Sequence, residues 1–254
     1  MNRRDFLQLA GCAGITAALI PSSSHLASSH PPAADKLVFL FQGDSITDGN
    51  RGRDYNDLNH IMGHGYACNI AGRAGVDFPE KDLRFINRGI SGNRITDLAA
   101  RWQVDALDLK PDVLSILVGI NDTASVMAGQ ADAVSVALYE ETYRRILDQA
   151  KAVNPAVLFV LCEPFMLPFE RSAGTVTDKQ LDVMQRQQVV RKLAAEYKAV
   201  FVPFQDLFER ALKRAPEKYW IWDQIHPTVA GHELMSREWL KQVGKRIGFL
   251  RRYM

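Results

Sequence analysis

Five short apolar runs, each followed by a stretch with apolar residues at helical spacing, limit what this chain can become. The runs lie at residues 37–41, 83–87, 113–118, 157–161 and 200–202. Helical patterns are expected over 66–74, 96–109, 134–153, 178–197, 204–213 and 227–243, the last opened by Pro227. Strands and helices in alternation build parallel strands into one sheet with helices over both faces. The expectation is one α/β domain spanning residues 35–254, with a five-stranded parallel sheet.

In a parallel sheet all strands end at the same edge, and ligands bind beyond the carboxyl ends of the strands. The unusual polar residues of this chain fall at those ends. The first run breaks into Gly43-Asp44-Ser45-Ile46, the second into Gly89 by way of Asn87 and Arg88, and the third into Gly119-Ile120-Asn121. The loop before the last helix carries Trp222, Asp223 and His226. Each suits acyl transfer. Ser45 needs a base to become a nucleophile, and His226 is one. Asp223 would hold the imidazole in the right tautomer. The amides of Ser45 and Gly89 and the side chain of Asn121 would receive an oxyanion. Trp222, with Trp220, offers an aromatic face that either stacks on a sugar ring or packs in the core. Asp44 is read as a substrate contact, and Asp48 as a turn residue or an anchor for the Ser45 loop.

Residues 1–34 are read as an export signal and linker. Arg3-Arg4-Asp5-Phe6-Leu7 precedes an apolar stretch shorter than a membrane span, then Pro21 and a run rich in Ser, Ala and Pro. The paired arginines resemble a twin-arginine signal, which implies a periplasmic or extracellular protein. The formal net charge is +2, and it stays near neutral when Arg3, Arg4 and Asp5 go with the leader. No basic field offers a nucleic-acid surface, and no polybasic patch offers a membrane. Cys12, Cys68 and Cys162 lack metal spacing. Cys68 and Cys162 read as buried thiols, with a bridge between them left open. His60 and His64, four residues apart, are a loop surface or a substrate contact, or else a metal pair without a third ligand. His232 reads as structural.

The blocks Gly-Asp-Ser-Ile, Asn87 to Asn93, Gly-Ile-Asn-Asp and Asp-x-x-His, in this order, resemble the four sequence blocks of the SGNH (GDSL-type) hydrolases. The first block has Ile46 where the family name has leucine. The resemblance covers residues 36–247 and implies a flavodoxin-like α/β/α sandwich and a serine esterase. It places Ser45, Asp223 and His226 as the triad, with Gly89 and Asn121 in the oxyanion hole. Within the family, residues 87–93 and the Trp-Asp-x-x-His-Pro ending are most similar to bacterial acetylxylan esterases. The expected reaction is removal of acetyl groups from carbohydrate, without metal or cofactor. The polar stretch 50–64, with Arg51, Arg53, Asp54 and Asp57, suits a sugar better than an acyl chain, and Phe165 is expected to narrow the acyl side. The alternatives are a lipid-directed esterase, thioesterase or lysophospholipase on the same fold, and a carbohydrate-binding protein without turnover.

Overall fold

In the computed structural model, which describes residues 36–167 and 176–254, five parallel strands form one sheet. They are β1 (Val38–Gly43), β2 (Arg84–Asn87), β3 (Val113–Leu117), β4 (Leu158–Cys162) and β5 (Val200–Val202), in the order β2-β1-β3-β4-β5. The expected export signal, with Cys12, lies outside the described residues.

Side chains of a strand alternate between faces, and here both faces are apolar because both are covered. Phe39 and Phe41 point into one layer, with Val113, Leu117 and Val160. That layer is closed by α2 (Tyr66–Asp77), α8 (Phe204–Ala211) and α10 (Val229–Gly244). Leu40, Leu114, Ile116 and Leu161 point into the other. It is closed by α3 (Ile95–Ala100), α4 (Trp102–Asp105), α6 (Val136–Val153) and α7 (Asp178–Glu196). The large buried indoles keep a polar partner, as they must. Trp239 Nε1 donates to Ser115 Oγ at 3.0 Å and Trp102 Nε1 to the Ile146 carbonyl at 3.0 Å.

The remaining helices are short. They are α1 (Ser45–Asp48), α5 (Ile120–Met127) and α9 (Glu217–Trp220). The expected helix over 96–109 is instead α3, α4 and a 3-10 turn at Leu107–Leu109, because Arg101 (φ −108°, ψ 10°) and Ala106 (φ −135°, ψ −60°) leave helical geometry. The last helix starts later than expected. Thr228 is its cap, accepting from the Gly231 amide, and Pro227 stands before it in a bridge to Ile221.

Strand order fixes where a site can form. β1 has β2 on one side and β3 on the other, so the chain reverses direction across the sheet between them. Such a switch point opens a crevice at the carboxyl ends of the two strands. Ser45 lies two positions past β1, and Asn121 lies four positions past β3 as the second residue of α5.

Candidate active site

Asp44 begins the site. It caps α1, its Oδ1 accepting from the Ile46 amide at 3.0 Å. This puts Ser45 on the first turn of a single-turn helix immediately past β1. Asp44 is only 1% exposed, so it lies beneath Ser45 as a cap and does not form a substrate-facing wall. Burial pushes its carboxyl up to about 7; the Ile46 amide opposes this and the charge of Asp122 adds to it. Burial likewise pushes Asp122 up to about 6.

The rise has a consequence for stability. A carboxyl that binds its proton more tightly folded than unfolded contributes most at low pH, and that contribution is lost as pH rises through the folded value. For Asp44 the window runs from 3.8 to about 7. Above it, the ionised group costs on the order of 4 kcal/mol. Asp44→Asn keeps a capping oxygen and removes the charge. The variant is expected to gain stability over the parent at pH 8 and little at pH 4, by chemical denaturation at both. An equal difference at the two values would deny the buried charge.

A line of three groups runs through Ser45. Its Oγ lies 2.8 Å from His226 Nε2, and His226 Nδ1 lies 2.6 Å from Asp223 Oδ2. Burial alone would raise the Asp223 carboxyl. The His226 amide and ring and the Ile225 amide outweigh it and hold the carboxyl below its ordinary value. An ionised Asp223 can only accept. The proton therefore sits on His226 Nδ1, and Nε2 is left to accept from the Ser45 hydroxyl.

The loop carrying Asp223 and His226 is built locally. Ile221 and Pro227 form an antiparallel bridge, and the Trp222 amide donates to the His226 carbonyl at 3.0 Å. Asp223 Oδ1 accepts the His226 amide at 2.7 Å and the Ile225 amide at 3.2 Å. Gln224, between them, takes φ 79°. Its carbonyl accepts the Leu167 amide, which ties the turn to the chain after β4. Trp222 is 62% exposed and lies nearly parallel to the His226 ring, with centroids 6.1 Å apart. Trp220 is core, its Nε1 bonded to the carbonyls of Ala211 and Ala215.

The turn after β2 is stitched to α1. Asn87 Nδ2 donates to the Thr47 and Met62 carbonyls at 2.7 and 3.0 Å. Asp48 accepts from Arg53 through both oxygens, at 3.0 and 2.7 Å, and from the Ser91 amide at 3.0 Å. Burial would raise Asp48, but the Arg53 guanidinium and the amides of Ser91 and Arg51 hold it low. Asp48 is thus the anchor of the Ser45 loop.

Gly89 requires a correction. Its amide donates to Asn87 Oδ1 at 2.9 Å, so it is not free for an oxyanion. Glycine is needed there for space, since a Cβ would lie 2.4 Å from the Asp48 nitrogen. The amides of Arg88, Ile90, Ser91 and Asn93 are bonded too. Among residues 88–93 only the Gly92 amide, on an exposed turn at φ 83°, has no partner among the described residues. Asn121 Nδ2 gives one hydrogen to the Asn93 carbonyl at 3.2 Å and keeps the other.

Other expectations also change. Arg51 is buried with its Nε on the Gly89 carbonyl at 2.9 Å, and Arg53 is committed to Asp48. Asp54 and Asp57 bond within their own loop. The polar character of residues 50–64 is therefore largely spent on holding the loop, and Asn50 and His64 are what it shows to the cleft. Phe165 is buried against Phe204 and Phe208 and is not among the residues lining the Ser45 cleft, while part of the segment after it lies outside the described residues. His60 bonds Asp57 and His64 packs edge-on to His232, so the two do not meet. Among the described residues no group of three His, Cys, Asp or Glu is placed to hold a metal. Cys68 and Cys162 are free thiols, and burial pushes Cys162 up to about 12. No described helix is long and apolar enough to cross a membrane.

A serine at the carboxyl edge of a parallel sheet, in line with a histidine and an aspartate, defines an ester-hydrolase type of site. Residues 41–234 match the model of the GDSL-like lipase/acylhydrolase family, and the chain belongs to it as a carboxylic ester hydrolase. An acetylxylan esterase of Geobacillus stearothermophilus is 32% identical over 216 residues, 84% of this chain and 95% of that one. The crystal structure of Axe2, an acetylxylan esterase from the same organism, superposes with a TM-score of 0.74 at 32% identity, covering 84% of this chain and 96% of that one. A putative GDSL-like lipase from Parabacteroides merdae superposes with a TM-score of 0.75 at 37% identity, covering 84% and 99%.

Proposed function

We propose that this enzyme removes acetyl groups from carbohydrate by way of an acyl-enzyme on Ser45. Ser45 Oγ attacks the acetyl carbonyl while His226 Nε2 takes its proton. Asp223 stabilises the imidazolium so formed. The oxyanion receives the amides of Ser45 and Gly92 and the free hydrogen of Asn121 Nδ2. As the intermediate collapses, the sugar oxygen leaves with the proton from His226. Water then enters by the same base and releases acetate.

The observation that carries the reading is the hydrogen-bonded line from Ser45 to Asp223 at the edge of a cleft of about 310 Å³. That is near the small end of ligand sites, ~300–1,000 Å³. Its lining supports the sugar. Asn50, His64, Ser91 and His232 are polar, and exposed Trp222 adds a flat ring. The acetylxylan esterase relatives point the same way. Export by the leader expected in residues 1–34 would bring such an enzyme to a polysaccharide outside the cell.

Acyl length gives the test. With no apolar tunnel among the described residues that line the cleft, each added methylene left in water forfeits about 0.8 kcal/mol of transfer energy. The expected order of kcat/KM for p-nitrophenyl esters is acetyl above butyryl above octanoyl, with acetate released from acetylated xylo-oligosaccharide. Octanoyl as the best ester, with no acetate from the sugar, would make this a lipid-directed esterase. Asn121→Ala is expected to lower kcat by ~10²–10³-fold, as for one lost oxyanion donor. A large rise in KM at nearly constant kcat would instead make Asn121 a binding residue.

A further inference from the structure

His232 sits one turn into α10, directly after the loop that carries His226, and lines the same cleft as Ser45 and His226. It is 7% exposed. Its Nδ1 accepts the amide of Tyr66, the first residue of α2, at 3.1 Å. An imidazole nitrogen that accepts carries no proton, so the ring proton is on Nε2. Burial lowers the ring to about 4, and the charges of His64 and His226 work in the same direction. His232 is therefore neutral in the working range, with its tautomer set by the backbone of another helix. Nε2 has no hydrogen bond among the described residues. The His64 ring stands edge-on to it, centroids 6.4 Å apart at 87°. The residue is nearly buried but lines the cleft, so what can meet this N–H is water or a ligand held there.

The ester's geometry says what that is. The leaving oxygen must come within reach of His226 Nε2 to be protonated. The alcohol half therefore extends over the wall formed by Trp222, Pro227 and His232. We propose that His232 Nε2–H is a substrate-binding donor that reads a hydroxyl or ring oxygen of the sugar alcohol, so that His232 sets selectivity for acetylated carbohydrate over simple esters. This rests on the sugar-esterase reading of the site.

Two variants separate the structural bond from the donor. In His232→Asn the amide oxygen can replace Nδ1 as acceptor for Tyr66, and no donor reaches the Nε2 position. In His232→Gln the amide nitrogen can reach that position, and the acceptor is lost. His232→Asn is expected to keep its fold. It should lower kcat/KM for acetylated xylo-oligosaccharide by ~3–10-fold, the worth of one neutral hydrogen bond, mainly through KM. The loss on p-nitrophenyl acetate should be clearly smaller, so that the ratio of sugar ester to simple ester falls. His232→Gln should melt lower yet keep the parent's preference for the sugar ester. Equal losses on both esters in folded His232→Asn, or an unchanged ratio, would overturn the proposal. If the parent cleaves p-nitrophenyl acetate and releases nothing from the sugar, the substrate reading fails and this proposal with it. If it cleaves neither, the ester-hydrolase reading fails first.

Discussion

Ser45→Ala is expected to abolish turnover, with a loss of ~10⁴–10⁶-fold in kcat, and to leave the melting temperature almost unchanged. Among the described residues the hydroxyl's one hydrogen bond is to His226 Nε2, at the edge of the cleft. The turn that carries it is held by other groups: the Asp44 cap, the Asn87 side chain on the Thr47 carbonyl, and Asp48 on Arg53 and Ser91. Removing one oxygen therefore deletes the attacking atom without touching the scaffold. The check is a p-nitrophenyl acetate assay beside thermal unfolding. Activity within tenfold of the parent in folded protein would remove Ser45 as nucleophile.

Asp223→Asn should cost ~10⁴-fold in kcat, by analogy with the same change in the serine-protease triad on an unrelated fold. The amide oxygen can still accept the His226 and Ile225 amides, so the turn survives. The amide nitrogen, however, becomes a donor where Oδ2 had accepted from His226 Nδ1 at 2.6 Å. The imidazole must then accept at Nδ1 and carry its proton on Nε2, facing Ser45. It can no longer take the serine proton. Substrate binding should be little changed, and the ring tautomer should be visible in the nitrogen shifts of the labelled histidine. Near-parent kcat would mean that Asp223 does no more than brace the loop.

The alternation of apolar runs made the sheet legible. Each of the five strands lies where an apolar run predicted it, because strands covered on both faces are mostly apolar; the edge strand β2 is the least so, opening on exposed Arg84. The helix α5 was not legible: it starts inside the Gly-Ile-Asn-Asp block and is too short for its period to stand out. At the site, the residues with one chemical use were readable as a group. Ser45, His226 and Asp223 are joined by hydrogen bonds, and Asn121 follows β3 at the same carboxyl edge of the sheet that Ser45 follows from β1. Gly89 was misread because sequence shows an available amide but not what already binds it. The Asn87 side chain two residues earlier was the missed signal, since Asn commonly bonds a backbone amide two positions on. Trp220 and Trp222 looked alike, and only the bridge between Ile221 and Pro227 turns one inward and the other out.

Asp223 and His226 find each other within four residues, whereas Ser45 and His226 are separated by 181 positions. Half of the machinery is thus a local turn, and the other half waits for the two ends of the chain to come together. Closing so long a loop is a late and entropically costly event in folding. During refolding from denaturant, esterase activity should return with the docking of α10 against β1 and α2, and no earlier. An ester assay on this enzyme is in effect a gauge of whether its first strand and last helix have met.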